Sequence, residues 1–427
     1  MLQGSPNPGK EPRVVITHDF AEVYGGAERV TEVLAAEFPN AEVWALLGRD
    51  EIAERMGVAD RFNTFLPSSE RLFKRFRYLT PIYPSLIAAK KLPEADVVLS
   101  SSYAFSHYMR TKNDAPQVCY CHSPLRFAWS MTEQYQSIWS SNTIGDVAFR
   151  SLAAMMRRTD VKAAARVGTY LTQSPYTARQ IEKFYGARPQ VIGAPIDCTV
   201  FKPGTAERED FFLIVGRLIE PYKRVGIAVE AFRRLGLKLV VAGGGPALEE
   251  LRRSAPPNVE FTGELDDDSV VDLMQRARAL IFPSQDDFGL VPVEAMACGT
   301  PIIAYRGGGA THTVVDGLTG SFFDEQTPES IVQAVRDFPP GELDHSAIRI
   351  HAKQWDVNAF RARVRTAVER AAGIEPSIPT LAPVRGGEVL SRVAPLDAPD
   401  SGDGSVAPVV PMRRPADPGT ARGSSAA

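Results

Sequence analysis

The stretch from 279 to 305, ALIFPSQDDFGLVPVEAMACGTPIIAY, restricts the fold more than any other part of the chain. It holds two short apolar runs, 279–282 and 301–304, each of the length and composition of a buried strand. Between them the sequence predicts a helix over about 292–298, because Pro292 is tolerated in a first helical turn and Gly299 ends the helix before Pro301. A strand, a helix and a second buried strand in this order predict an α/β fold with a parallel sheet.

The turn that opens this helix has the features of an anion site. Backbone N–H groups of Gly289, Leu290 and Val291 precede or open the helix and lack intrahelical partners. Asp286 lies on the loop and Glu294 about one turn into the helix, so both can face a ligand at the carboxyl end of the sheet. We therefore expect a phosphate at the amides and hydroxyl groups at the acids. The alternative is a solvated acid pair on an ordinary turn.

A second glycine turn follows the first strand of the chain. The run RVVITHD, residues 13–19, predicts a buried strand, and the segment after it has a helical apolar stripe. Gly25 and Gly26 lie between the two. Glycines at this point let the backbone approach a ligand closely and leave helix N–H groups available to an anion. A Gly-Gly pair also occurs in many ordinary turns, and that interpretation stays open here.

Three further side chains follow predicted strands. His122 precedes Ser-Pro at the end of a strand predicted over 117–121, where the chain cannot simply continue as a helix. Arg217 and Lys223 come after a strand predicted over 211–215, and two cations there can neutralise a diphosphate. The remaining histidines are expected to be structural or on the surface: His18, His107, His312, His345 and His351.

Length and charge limit the function classes. The 427 residues exceed one ordinary core, so two domains and a tail are expected. A formal net charge of −3 provides no basic field and argues against a dedicated nucleic-acid binder. The four cysteines show neither a disulfide framework nor zinc spacing, and Cys119 and Cys121 are expected on opposite faces of a strand. With no long apolar run, the chain is expected in the cytoplasm or on a membrane surface.

The segment FGLVPVEAMACGTP closely resembles the signature of the retaining family 4 glycosyltransferases. The resemblance implies that Glu294 holds the ribose of a nucleotide and that Asp286 meets the donor sugar, although the family usually has Glu at the position of Asp286. GGAER resembles the opening loop of the family, which implies that Gly25 and Gly26 lie beneath the donor phosphates. The segment GRL followed by YK resembles the phosphate-binding pair and implies that role for Arg217 and Lys223. HSPLRFAW resembles mannosyltransferase-like members and implies that His122 lies near the donor sugar.

This resemblance covers about residues 13–370 and implies two Rossmann-like α/β domains that face each other across a cleft, the GT-B fold. The expected parts are a disordered N-terminus (1–12), an acceptor domain (13–197), a nucleotide-sugar domain (198–354), helices that cross back to the first domain (about 355–372) and a disordered tail (373–427) rich in Pro, Ala, Gly and Ser.

The implied function is a retaining transfer of a hexose from a nucleotide diphosphate sugar to a glycan or a lipid-linked glycan. Resemblance alone indicates mannose, with GDP-mannose as the donor. We expect no cofactor and no metal, because the two cations and the helix amides supply the positive charge. The basic and aromatic segment 71–91 indicates contact with an anionic membrane surface, and an ordinary solvated basic face is its alternative.

Two other functions fit the same residues. One is another GT-B enzyme that uses a sugar phosphate, such as a phosphorylase. The other is a catalytically silent scaffold that binds a sugar nucleotide without turnover, which the short acid Asp286 favours. Screening donors with and without a nucleotide separates the first alternative, and binding without turnover identifies the second.

Overall fold

A computed structural model describes residues 11–139, 143–338 and 343–376, all of which lie in one compact unit of the chain. The predicted disordered ends fall outside these residues, except for positions 11–12 and 373–376.

The first sheet of the described residues has seven parallel strands in the order β3-β2-β1-β4-β5-β6-β7. Its strands are β1 (Val14–Ala21), β2 (Glu42–Gly48), β3 (Phe62–Thr64), β4 (Val97–Ser102), β5 (Gln117–Cys121), β6 (Thr169–Thr172) and β7 (Gln190–Val191). The helices between them are α1 (Gly26–Glu37), α2 (Asp50–Arg55), α3 (Glu70–Phe73), α4 (Tyr83–Ala89), α5 (Thr132–Trp139), α6 (Thr143–Ala164) and α7 (Pro175–Tyr185). Short 3₁₀ turns lie at Ala59–Arg61, Phe76–Ile82 and Ser106–Tyr108.

The second sheet has six parallel strands in the order β10-β9-β8-β11-β12-β13. Its strands are β8 (Phe211–Val215), β9 (Lys238–Ala242), β10 (Val259–Gly263), β11 (Ala279–Phe282), β12 (Ile302–Tyr305) and β13 (Gly320–Phe323). The helices are α8 (Val225–Leu235), α9 (Leu248–Ser254), α10 (Asp267–Arg276), α11 (Leu290–Ala297), α12 (Ala310–Thr313) and α13 (Pro328–Asp337). Two Rossmann-like α/β domains, as in the GT-B fold, are thereby confirmed.

The strand order places the predicted site residues at the switch points of both sheets. In the first sheet β1 lies between β2 and β4, and in the second β8 lies between β9 and β11. At such a point the connections leave in opposite directions and open a crevice at the carboxyl ends of the strands. Gly25 follows β1, Arg217 follows β8 and Asp286 follows β11.

The last helices return to the first domain, as expected. Helix α14 (His345–Ala352) is followed by a 3₁₀ turn at Lys353–Trp355 and then by α15 (Val357–Ala371). Phe360, Val364 and Val368 of α15 are buried in the same core cluster as β1 and α1. The helical path is interrupted between α14 and α15, because Asp356 caps α15 and the chain there pairs with Ile196.

The expectation for two cysteines was wrong. Cys119 and Cys121 lie two positions apart in β5, and side chains two apart in a strand share a face. Both are buried in one cluster with Tyr170 and Ile181. All four cysteines are free thiols.

Candidate functional site

The turn between β11 and α11 has the geometry that an anion site needs. Gly289 precedes the helix with φ +83°, a left-handed conformation that favours glycine. The helix begins at Leu290, two residues earlier than expected, and Pro292 lies within its first turn. The N–H groups at the start of α11 therefore have no intrahelical partner.

The two predicted glycine turns meet. Gly25 caps α1 in an extended conformation, and its N–H donates to Oε2 of Glu28 at 2.9 Å. A Cβ added to Gly26 would lie 2.9 Å from Cδ1 of Leu290 in the second domain. The openings of α1 and α11 thus face one another, with a spacing that a side chain on Gly26 would crowd.

Glu294 is buried, with 6% of its surface exposed, and pairs with the first domain. Its Oε1 accepts from Nη1 of Arg29 at 2.7 Å, and Nη2 of Arg29 also reaches Asp267 at 3.5 Å. Burial raises the pKa of Glu294, and the charge of Arg29 opposes that shift. The carboxylate expected to hold a ribose is thus already paired, and a ribose at that oxygen competes with Arg29 or shares it.

Asp286 and Lys223 form a second pair. Nζ of Lys223 donates to Oδ2 of Asp286 at 2.6 Å. Oδ1 of Asp286 is buried and has no hydrogen-bond partner among the described residues. A buried acceptor without a partner is costly, so a hydroxyl group of a ligand would satisfy it. Arg217 is exposed and lines the same small pocket as Lys223 and Ser284, at the ends of β8 and β11.

A third pair, which joins the two domains across the cleft, was not predicted. Nη2 of Arg126 donates to the carboxylate of Asp287, and Oγ of Ser174 donates to the carbonyl oxygen of Asp287 at 2.5 Å. Burial raises the pKa of Asp287, and Arg126 opposes the shift. Arg126 belongs to the HSPLRFAW segment and Asp287 neighbours Asp286, so the two quoted motifs did contain this pair.

His122 follows β5, and 7% of its surface is exposed. Its Nε2 lies 2.9 Å from Oγ of Ser101, and its carbonyl oxygen accepts from Nε2 of Gln173 at 2.9 Å. Burial, then the positive charges of His18 and Arg126, lowers the pKa of His122 to about 3. The ring is therefore neutral at physiological pH and can donate one hydrogen bond and accept another.

The first domain adds two residues that were not assigned to the site. His18 in β1 and Glu28 in α1 are buried, and Nε2 of His18 lies 3.2 Å from Oε1 of Glu28. Two signals were present in the sequence. His18 lies near the carboxyl end of a predicted strand, as His122 does, and Glu28 is the third residue after a helix-capping glycine.

Each domain of the chain matches a family model. Residues 24–200 match the model described as Glycosyltransferase Family 4, and residues 197–355 match the one described as Glycosyl transferases group 1. Both domains are glycosyltransferase domains. They meet at residues 197–200, where the first sheet has ended and the second has not begun.

Several curated proteins are similar to this chain, and two of them show how far the overlap extends. The chain is 33% identical over 236 residues to a D-inositol 3-phosphate glycosyltransferase of Acidothermus cellulolyticus, covering 46% of this chain and 52% of that protein. It is 30% identical over 259 residues to the D-inositol 3-phosphate glycosyltransferase of Mycobacterium tuberculosis, covering 52% of each. The chain thus spans about half the length of the curated relatives it matches.

Solved structures share the fold of the two glycosyltransferase domains. Anabaena HepE in complex with UDP and glucose superposes with a TM-score of 0.62 at 17% identity, covering 84% of this chain and all of that one. Sucrose-phosphate synthase of Thermosynechococcus elongatus gives 0.55 at 17% identity, covering 84% and 96%.

Proposed function

We propose that this chain is a retaining glycosyltransferase that moves a hexose, mannose before others, from a nucleotide diphosphate sugar to an acceptor hydroxyl. The observation that supports this most is the meeting of two helix openings across one cleft, with Glu294 and the half-paired Asp286 beside them. Helix N-termini suit a diphosphate, and carboxylates suit the hydroxyl groups at its two ends.

In this proposal three groups of residues bind three different parts of the donor. The ribose binds at Glu294, and the sugar binds at Asp286 and His122. The diphosphate binds at the amides of residues 289–291, with Gly25 and Gly26 beneath it. Lys223 and Arg217 neutralise the charge that develops on the leaving diphosphate.

The pairing of Lys223 with Asp286 gives this scheme a defined geometry. One oxygen of Asp286 holds the cation, and the other is left to accept from a sugar hydroxyl. The acid thereby couples sugar position to the cation at the phosphate. A positive charge held in place before the reaction costs no reorganisation in the transition state.

A direct test screens donors against the full chain. Thermal-shift measurements with GDP, UDP, GDP-mannose and UDP-glucose identify the base, because a ligand that binds only the folded state raises the midpoint. Transfer assays then follow free nucleotide diphosphate release. We expect GDP-mannose to raise the midpoint and to support transfer. Binding without release under any acceptor supports the silent scaffold, and turnover of a sugar phosphate supports the phosphorylase.

The acceptor has two candidates. The first is a glycan or a lipid-linked glycan at a membrane surface. The second is an inositol phosphate, which the name of the two relatives, D-inositol 3-phosphate glycosyltransferase, suggests. A competition assay with D-inositol 3-phosphate and a lipid-linked glycan, each at the same concentration, decides between them.

We also propose that the first domain contacts an anionic membrane surface through the segment 71–91. Its aromatic residues Phe73, Phe76 and Tyr83 are buried in the core, while Tyr78 and the aliphatic Ile82 are 70% and 53% exposed. The contact surface is thus smaller than the sequence suggested. Vesicles with anionic lipid should retain the chain at low salt and release it at high salt, since salt screens surface charge. Retention that is independent of both lipid charge and salt contradicts the proposal.

Among the described residues, every helix is too short or too polar to span a bilayer.

A further inference from the structure

A continuous chain of buried hydrogen bonds connects the glycine turn to His122. From Gly25 N–H it passes to Glu28 (2.9 Å), from Glu28 to His18 Nε2 (3.2 Å) and from His18 Nδ1 to Thr31 Oγ1 (3.0 Å). Thr31 Oγ1 then donates to Ser101 Oγ (3.0 Å), which lies 2.9 Å from Nε2 of His122. The side chains that form this series of hydrogen bonds come from β1, α1, β4 and the end of β5, and all of them are buried.

The number of available hydrogens favours one direction along this chain. Glu28 can only accept, so Nε2 of His18 must donate to it. Although burial disfavours a charged ring, the hydrogen bond and the charge of Glu28 raise the pKa of His18. A doubly protonated His18 also donates from Nδ1 to Thr31. The single hydroxyl hydrogen of Thr31 can then go to Ser101 Oγ at 3.0 Å or to the carbonyl oxygen of Ala27 at 2.9 Å. When it goes to Ser101, the hydroxyl hydrogen of Ser101 is left for His122.

The groups around His18 agree with a positive charge on this ring. Asp19 adds to the rise of its pKa, and the ring of Tyr103 packs edge-on against it. Asp19 itself accepts four backbone N–H bonds, from residues 103 to 106. His122 is the other imidazole nearby, and its pKa is lowered in part by the charge of His18. The pKa values of the two rings are thus shifted in opposite directions, upward for His18 and downward for His122.

We propose that Glu28 and His18 are positioning residues for His122, acting through Thr31 and Ser101, and that they fix its hydrogen on Nδ1. This inference rests on the proposed function in one respect only, because the proposed function supplies the sugar that His122 contacts. The same carboxylate holds Gly25, so the glycine turn and the imidazole are set by one hydrogen-bonded unit.

Nitrogen NMR of the histidine-labelled full chain tests this directly, since the chain has only six histidines. At pH 6.5 we expect both nitrogens of His18 to carry hydrogen and His122 to be neutral with its hydrogen on Nδ1. Glu28→Gln should leave His18 neutral and move the resonances of His122, four groups away. Glu32→Gln, on the same helix but outside the chain of bonds, is the matched control and should move neither.

Kinetics give a second readout. Thr31→Val keeps the shape of the side chain but removes the hydroxyl, and we expect kcat to fall about tenfold with little change in donor KM. Thr366→Val is its control, because Thr366 is another buried helix threonine that bonds the carbonyl four residues before it, as Thr31 does.

The possible outcomes separate this inference from the proposed function. Two results overturn the inference, whatever the activity of the variants. One is a hydrogen on Nε2 of His122, and the other is that the nitrogen resonances of His122 do not move in Glu28→Gln. Absence of transfer with every donor overturns the proposed function, while the nitrogen spectra still decide the inference.

Discussion

Asp286 and Glu294 differ in their partners, and the difference determines what each can do for a ligand. Glu294 is buried against Arg29, so its charge is compensated from the other domain. One oxygen of Asp286 accepts from Lys223, and the other has no hydrogen-bond partner in the part of the chain that the structure describes. We expect Glu294 to act in nucleotide binding and Asp286 in positioning the sugar.

Glu294→Gln should therefore weaken both the free nucleotide diphosphate and the intact donor. Asp286→Asn should leave the free nucleotide unaffected and weaken the sugar-bearing donor and turnover, because one charged hydrogen bond contributes roughly 1.5 to 3 kcal/mol, a tenfold to hundredfold effect. Calorimetry measures the binding of the free nucleotide diphosphate, and steady-state kinetics measure the use of the intact donor. Glu329→Gln, an exposed acid paired with Arg234, is the control. Equal weakening of the free nucleotide by both variants contradicts the division of roles.

Asp286→Glu restores the residue that the family usually carries. If the shorter acid fits the distance to Lys223, the added methylene should displace that cation and lower kcat. A rate equal to that of the parent chain shows that the site tolerates either acid.

His122 should also influence how stability depends on pH. Its pKa falls from the ordinary 6.5 to about 3 on folding, so between those values the unfolded chain binds a proton that the folded chain does not. Stability must then rise with pH across this window, by up to about 1.4 kcal/mol per pH unit for one group. His122→Asn should flatten the fall of the thermal midpoint between pH 6.5 and 5.0. His345→Gln, on an exposed residue, should leave the slope as it was.

At the scale of elements, the sequence predicted the strands at the centre of each sheet and missed three of the four strands at the edges. Most of the predicted strands are buried apolar runs such as β1, β8 and β11. The strands β3, β7 and β10 were not predicted, and each forms an edge of its sheet. An edge strand has one neighbour and needs no long apolar run, so its sequence carries little signal.

The site shows the same limit. The residues of the β11–α11 turn could be named, because one helix and one loop of continuous sequence carry them. Arg29, Arg126 and Asp287 could not be assigned, because their partners are more than 100 residues away and only the folded chain brings them together. Both arginines lay inside motifs that were quoted for other residues.

The corner where the chain returns to the first domain depends on Gly193. This glycine has φ +80°, and a Cβ on it would overlap the buried indole of Trp355. Gly193→Ala should destabilise the fold by about 3 kcal/mol, from backbone strain and overpacking together. Gly186→Ala is the control, since Gly186 has φ +67° but open space around it, and should cost about 1 kcal/mol. Thermal unfolding measures both, and equal losses contradict the role of Trp355.

For the whole molecule, two arginines of the first domain form ion pairs with carboxylates of the second domain beside the proposed donor site. Arg29 pairs with Glu294 and Asp267, and Arg126 pairs with Asp287, all across the cleft. Interfaces between domains of one chain are often small and polar, so a few ion pairs can set how far the cleft opens. Glu294 is buried and Asp287 is partly buried, and removing a partner leaves an uncompensated charge that favours exposure to water.

The double variant Arg29→Gln with Arg126→Gln should therefore open the cleft in the absence of a ligand. Small-angle X-ray scattering should show a larger radius of gyration than for the parent chain, and 1 M salt should reproduce part of the change in the parent, because its Debye length is only about 3 Å. Arg234→Gln is the control, since Arg234 pairs only with Glu230 and Glu329 of its own domain among the described residues. A nucleotide diphosphate should close the parent more than the double variant, because in the variant the first domain no longer offers a cation to Glu294. Identical scattering of all three proteins, with and without nucleotide, would show that packing at Gly26 and Leu290 holds the cleft and that the ion pairs do not.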